Sequence, residues 1–312
     1  MTFKKVLEPI QIAGCTVPNR VVRTAHATRI GGGVMSDDLI AYHAVRARGG
    51  VGLSILEILS VHPTSLSALN MFDSTLDAGY AKLMEAVKPY GMAVFQQLWH
   101  RFATLGHHLL FADLDPVREN RARFMLEVMR AVKSAVSKDF AVGIRLAPDL
   151  TEGGVDTEMN IAAAELLQAE NLVDFVDVSL GNYHSFPKMI GGMHEGVGYE
   201  VPTSAPITDR VKVPTIITGR FRTLEEADQA IRNGEADLIG MTRAHIADPD
   251  IVSKTRAGRT EQIRPCIACN QGCVGGLFAG KLGCAVNPET GNELRLDQAE
   301  IGRCPPSVNI AP

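Results

Sequence analysis

The 312-residue chain is 46% hydrophobic and 21% charged, with a net charge of −4 and a pI near 6.1, the profile of an ordinary globular protein long enough for one large domain or two small ones. No basic stripe and no Lys/Arg cluster marks a nucleic-acid or anionic-membrane partner. No apolar run approaches the roughly 18 residues of a membrane span, and Met1-Thr2-Phe3-Lys4-Lys5 leads into no apolar h-region, so no secretory signal is expected.

From about residue 19 to residue 256, short β-rich apolar runs alternate with helical patterns. Strands are predicted at Arg20–Thr24, Gly52–Ser60, Ala93–Trp99, Ala141–Leu146, Phe175–Leu180, Pro214–Thr218 and Asp237–Met241. A helix is predicted from about Val117 to Val136, with Asp115 as N-cap and Pro116 at its first position. Phe124, Met125, Val128, Met129, Val132 and Val136 fall on one face of it. Thr223-Leu224-Glu225-Glu226 reads as a capping box opening another helix. Strands alternating with helices imply parallel βαβ units. The expected fold is therefore α/β, a TIM (β/α)8-type barrel.

Only seven strands are countable. Between Trp99 and Val117 lie 17 residues, and a βαβ crossover alone takes at least about 10–12. The barrel is thus expected to be shortened around its fourth strand. The domain organisation expected is a barrel over 1–262, a Cys-rich segment over 263–290, and a linker or tail over 291–312.

Most predicted strands end in a polar residue: His26 after the first, Glu57 within the second, and Gln96, Gln97 and His100 at the third. Arg145 follows in the fourth, then Asp177, Ser179 and Asn182, and finally Arg220 and Arg243 after the last two. One such residue is unremarkable. Together they mark the C-terminal face, where barrels build active sites. Thr218-Gly219-Arg220 and Gly240-Met241-Thr242-Arg243 each lie between a strand and a helix, a setting for phosphate, since glycine admits a close ligand and helix N-termini favour anions. No G-x-G-x-x-G follows a strand, so no Rossmann domain is evident.

Past residue 262 the sequence turns Gly-rich. Cys266, Cys269 and Cys273 are followed by Cys284. Thiolates select iron–sulfur clusters or zinc. Zinc ribbons show two separated C-x-x-C knuckles, whereas one tight group plus a lone cysteine suits a cubane. An iron–sulfur cluster is expected, with zinc or unliganded thiols as the alternatives. Cys15 and Cys304 are far apart, and a reducing cytoplasm suits such thiols better than a disulfide framework.

At these residues the sequence resembles the Old Yellow Enzyme-like flavin oxidoreductases. It is similar to their iron–sulfur branch, which includes 2,4-dienoyl-CoA reductase, trimethylamine dehydrogenase and N-methylproline demethylase-like proteins. The resemblance rests on Pro18-Asn19-Arg20-Val21-Val22, Gln97-Leu98-Trp99-His100, Arg118–Phe124, Ala236–Arg243, Ile246-Ala247-Asp248-Pro249 and Arg264–Pro288. It implies FMN in the barrel and a 4Fe–4S cluster on Cys266, Cys269, Cys273 and Cys284. It implies Thr24, Ala25, His26 and Glu57 lining the flavin, Gln97 on its pyrimidine edge, and Arg145 beside N1 and O2. Gly219, Arg220, Arg243 and Ala244 would hold the phosphate.

The family segment after Gln-Leu-x-His, which carries the fourth strand and catalytic Tyr/His residues, is largely missing. Gly106–Phe111 looks like its remnant, which makes His107 and His108 candidate displaced catalytic groups. Tyr183 and His184, on the loop expected over the flavin, are the other catalytic candidates. Tyr183 and Phe186 are placed to meet a methylated ammonium by cation–π attraction.

The expected activity is FMN- and cluster-dependent oxidation or N-demethylation of a small methylated amine. The competing readings are NAD(P)H-dependent enoate or dienoyl-CoA reduction and a catalytically inactive electron-transfer module. The expected partners are a small-molecule substrate and an electron-transfer protein or further FAD- or NAD(P)H-binding domain, in a homo-oligomer, with no nucleic acid and no membrane.

Overall fold

The computed structural model describes residues 3–65, 69–100 and 118–296. His107 and His108, the expected cap at Asp115 and Pro116, and the stretch 297–312 lie outside the described residues. Two short strands, β1 (Ile10–Ile12) and β2 (Cys15–Val17), pair as an antiparallel hairpin. The large sheet contains β3 (Val21–Arg23), β4 (Leu53–Ser60), β5 (Leu69–Asn70), β6 (Ala93–Trp99) and β7 (Gly143–Leu146). It continues through β8 (Phe175–Val178), β9 (Thr215–Ile217) and β10 (Leu238–Gly240). All its pairings are parallel, in the order β5-β4-β3-β10-β9-β8-β7, with β6 also on β4.

Every predicted strand is present at its predicted place. Among the described residues no ladder joins β6 to β7, the position the short sequence leaves without a strand. The sheet nevertheless curls, since the rings of Phe95 on β6 and Phe175 on β8 meet at 5.2 Å.

The first helices are α1 (Asp37–Arg48), α2 (Leu76–Val87), α3 (Arg118–Ala135) and α4 (Thr157–Ala169). Then come α5 (Phe186–Met189), α6 (Val201–Thr208), α7 (Leu224–Arg232) and α8 (Thr242–Ala247). Last are α9 (Ile251–Arg256) and α10 (Gly276–Ala279). Local chemistry starts several of them. Ser36 accepts from the Leu39 amide at 3.3 Å, and Asp156 accepts from Met159 at 2.8 Å. Thr223 and Glu226 form the predicted capping box. No helix among the described residues is long and apolar enough to cross a membrane.

Alternation along the strands sorts the core. Val22, Leu53, Ile55, Ala93, Phe175, Ile216 and Leu238 share one cluster inside the sheet, and Ile12 and Val17 of the hairpin close it from below. The opposite faces of the same strands, including Val21, Val176, Val178, Ile217 and Ile239, pack on the helices. Each fully buried aliphatic side chain here contributes roughly 1.5–3 kcal/mol.

The Cys-rich segment docks on this frame. The Leu282 amide donates to the Thr28 carbonyl at 2.8 Å. Asn287 Nδ2 and Thr290 Oγ1 both donate to the Ile246 carbonyl, at 3.0 and 2.8 Å. Glu293 reaches Arg46 of α1 at 2.9 Å, with both side chains buried.

Candidate functional site

One alternation step above the apolar layer, each strand changes character. Val22 gives way to Thr24, Ile55 to Glu57, Phe95 to Gln97 and Gly143 to Arg145. Phe175 gives way to Asp177, Ile216 to Thr218 and Leu238 to Gly240. Seven strands thus deliver six polar side chains and Gly240 to the C-terminal mouth of the barrel, and all seven residues stand in stretches the sequence had marked.

The ring is wired internally. The Thr24 and Thr242 hydroxyls share a hydrogen bond of 2.7 Å, and Thr242 Oγ1 accepts the Thr24 amide at 3.0 Å. Gly240 lies beneath, where a Cβ would stand 2.6 Å from the Thr218 methyl and 2.7 Å from the Thr24 methyl. Arg145 Nη1 donates to the Ala25 carbonyl at 3.3 Å, and its Nε lies 3.8 Å from Asp177 Oδ2. Asp177 Oδ1 is buried with no hydrogen-bond partner among the described residues. Burial pushes the Asp177 carboxyl up, and Arg145 opposes it. Glu57 is buried too and raised by that burial, while the Thr28 amide, 2.5 Å from its Oε2, pulls the other way. Gln96 points outward, bonded to Tyr80 at 2.6 Å and to the Glu57 carbonyl at 2.7 Å, which leaves Gln97 on the lumen side by alternation.

His26 stands behind the ring, with Nε2 3.2 Å from the Tyr42 hydroxyl and 3.3 Å from Arg23 Nη2. Burial first and Arg23 second hold its pKa well below the usual histidine range. Burial therefore disfavours its charged form.

The two expected phosphate turns differ. Gly219 has φ +149 and Arg220 φ +63, both in the left-handed region. The Glu226 carboxylate accepts from the Arg222 and Thr223 amides, so the N-terminus of α7 is capped by its own side chain. The Arg220 guanidinium donates to the Glu195 carbonyl. Arg243 Nη1 donates to the Gly191 carbonyl at 2.6 Å and to Asn270 Oδ1 at 2.8 Å. Ala244, next in the chain, is buried in the core behind. Both arginines therefore also hold the loop between β8 and α6.

That loop carries Tyr183, 63% exposed, and His184 in a short turn capped by Asn182. Phe186 turns away, ring to ring with Phe278 at 6.3 Å. Glu200, where the loop meets α6, was not singled out from sequence. Its carboxyl is buried, accepts the Thr218 hydroxyl, and feels Arg145 and Arg243. Burial raises its pKa, and hydrogen bonds from Thr218 and Tyr199 oppose the rise.

Cys266, Cys269, Cys273 and Cys284 line one small cavity with Arg243 and Asn270. Among the described residues no three Cys, His, Asp or Glu side chains are drawn together at metal-ligand spacing. The donor set nonetheless fits a soft centre. Gly272 lets the loop pass where a Cβ would stand 2.7 Å from the Cys284 backbone, and Ala268 and Asn270 adopt left-handed φ of +54 and +58. Burial raises the Cys266 and Cys273 thiols, opposed by the Ala268 and Val274 amides respectively and by Arg243.

A family profile described as "NADH:flavin oxidoreductase / NADH oxidase family" matches residues 5–110 and 117–262. The break falls at the shortened segment. A Thermoanaerobacter brockii NADH oxidase is 30% identical over 93% of this chain and 57% of its own. An N,N-dimethylglycine/sarcosine dehydrogenase of Chromohalobacter salexigens is 26% identical over 94% and 54%. Among solved structures, a 2-naphthoyl-CoA reductase superposes with a TM-score of 0.84 at 22% identity, covering 95% of this chain and 58% of that one. The chain belongs to the NADH:flavin oxidoreductase / NADH oxidase family and spans a little over half the length of these curated relatives.

Proposed function

We propose that this family member is the flavin-binding part of an FMN- and 4Fe–4S-dependent oxidoreductase acting on a small methylated amine in the cytoplasm. The polar ring at the barrel mouth carries the reading. When bound, FMN supplies a hydride acceptor and donor at N5, and the cluster supplies one-electron transfer. The ring suits FMN in its own terms. Asp177 Oδ1 has no donor among the described residues, which a ligand hydroxyl or imide would provide, and Arg145 brings positive charge to the same place. Gly240 lets the Thr24 and Thr218 side chains close together at the mouth, with Arg243 three residues further on. Gln97 offers an amide for a pyrimidine edge.

Cys266, Cys269, Cys273 and Cys284 bind iron as thiolates, releasing protons as they do so. Buried Asp177 and Glu200 near the mouth favour a cationic substrate, since burial disfavours the charged form of each carboxyl and a nearby ammonium would stabilise it. Tyr183 and His184 face the solvent side of the same loop, placed to meet the substrate. The dimethylglycine/sarcosine dehydrogenase likeness supports an amine. The fold shared with the naphthoyl-CoA reductase supports the second reading, reduction of an enoyl compound with NAD(P)H.

Anaerobic mixing separates them. Dimethylglycine or a related tertiary amine should bleach the flavin absorbance with no other reductant. Bleaching only by NADH, with recovery on adding an enoate, would replace the amine reading with the reductase. A protein that holds iron but no flavin would replace both with an inactive electron-transfer module.

A further inference from the structure

Asn270 lies between Cys269 and Cys273 and uses its carbonyl and both ends of its side-chain amide. Its carbonyl accepts the Val274 and Gly275 amides at 3.1 and 2.9 Å, closing the turn that presents Cys273. Its side-chain amide donates to the Ile190 carbonyl at 2.8 Å, and Oδ1 accepts from Arg243 Nη1 at 2.8 Å. The same Nη1 donates to the Gly191 carbonyl at 2.6 Å. Two side chains thus tie three separate loops: the cysteine loop, the turn after β10, and the loop over the barrel mouth. They grip that last loop at Ile190–Gly191, its midpoint. The adjacent anchor is Tyr199, whose hydroxyl accepts the Gly191 amide and donates to the Lys188 carbonyl, both at 2.9 Å.

We propose that Asn270 and Arg243 are a positioning pair through which the cysteine loop fixes the substrate-side loop, residues 181–198, over the barrel mouth. The proposal rests on the reading above for what the loop does, but the bonds themselves need neither flavin nor iron. Arg243 gains a task beyond phosphate binding: one guanidinium nitrogen serves the cysteine loop and the mouth loop at once. Disturbance of the cysteine loop then reaches the substrate without any residue of that loop touching it.

Asn270→Gly is the discriminating variant. Glycine keeps the left-handed backbone at φ +58 without strain and leaves all four cysteines in place, deleting only the two side-chain bonds. Amide exchange of residues 181–198 should rise about tenfold in Asn270→Gly, with exchange in β8 and β9 unchanged. In the flavin-loaded protein KM should rise about tenfold while kcat stays within about twofold. Asn270→Asp, which keeps the acceptor for Arg243 but loses the donor to Ile190, should fall between the two. Loop exchange within about twofold of wild type in Asn270→Gly would overturn the proposal. Should that variant lose its fold, wild type against Asn270→Asp decides alone: equal loop exchange overturns it, faster exchange in the variant supports it. Because exchange is read equally well on protein stripped of iron and flavin, a failure of the cofactor reading stays separate from a failure of the brace.

Discussion

The lower and upper layers of the barrel lumen are built by the same strands, two residues apart, and are chemically opposite. Below lie Val22, Phe95, Phe175, Ile216 and Leu238; above lie Thr24, Gln97, Asp177, Thr218 and Gly240. The lower layer is sealed by the β1–β2 hairpin and has only packing to offer. The upper layer keeps a buried carboxylate oxygen with no hydrogen-bond partner among the described residues, and Glu57, Asp177 and nearby Glu200 are three carboxyls whose pKa burial raises. Such groups cost stability.

Breaking the lower layer should affect folding most. Phe175→Ala is expected to cost about 3–5 kcal/mol in denaturant unfolding, with the surviving folded fraction still binding flavin. Arg46→Ala, which strands the buried Glu293, should cost about as much, roughly 3–5 kcal/mol. Arg46→Met combined with Glu293→Leu should recover most of it, and a failure to recover would point to the Tyr42 ring, which Arg46 covers at 3.4 Å.

The upper layer should respond in the opposite sense. Arg145→Gln is expected to leave the melting temperature within a few degrees, yet weaken FMN binding about 10–100-fold, the worth of a charge-assisted bond. Flavin fluorescence quenching reads this directly.

Titration sharpens the contrast. The folded Glu200 holds its proton above the range where the unfolded chain releases it, so the native state binds more protons and stability falls as pH rises from about 4.5. Glu200→Gln should remove that fall, stabilising the protein more at pH 8 than at pH 5. The sign reverses for His245, which is buried without a hydrogen-bond partner among the described residues, its pKa lowered by burial to about 3. There the unfolded state binds the extra proton, and stability is lost as pH falls from about 6.5 toward the folded value. His245→Leu should flatten this acid limb and gain about 1–3 kcal/mol at pH 5, the smallest effect of the series. Melting curves across pH test both.

The sequence carried the strands and the polar ring because both are local signals. Alternation and strand-end polarity survive in a linear reading, and the four cysteines announce themselves by spacing. The hairpin plug was not legible, since three-residue strands have too little length to show a period. Glu200 was hidden in a loop, made notable only by Thr218 arriving from β9. The Arg46–Glu293 pair spans 247 positions, and no local pattern foretells it. Nothing local marks Asn270, whose partners Arg243 and Ile190 lie 27 and 80 positions away.

On the proposed reading the upper layer is a flavin site although no ladder joins β6 to β7 among the described residues. The most direct measurement is the flavin released on denaturing anaerobically purified protein, counted against iron. The expected result is about one FMN and about four irons per chain, with FMN alone reduced in Arg145→Gln. Iron without flavin in the wild-type protein would contradict it.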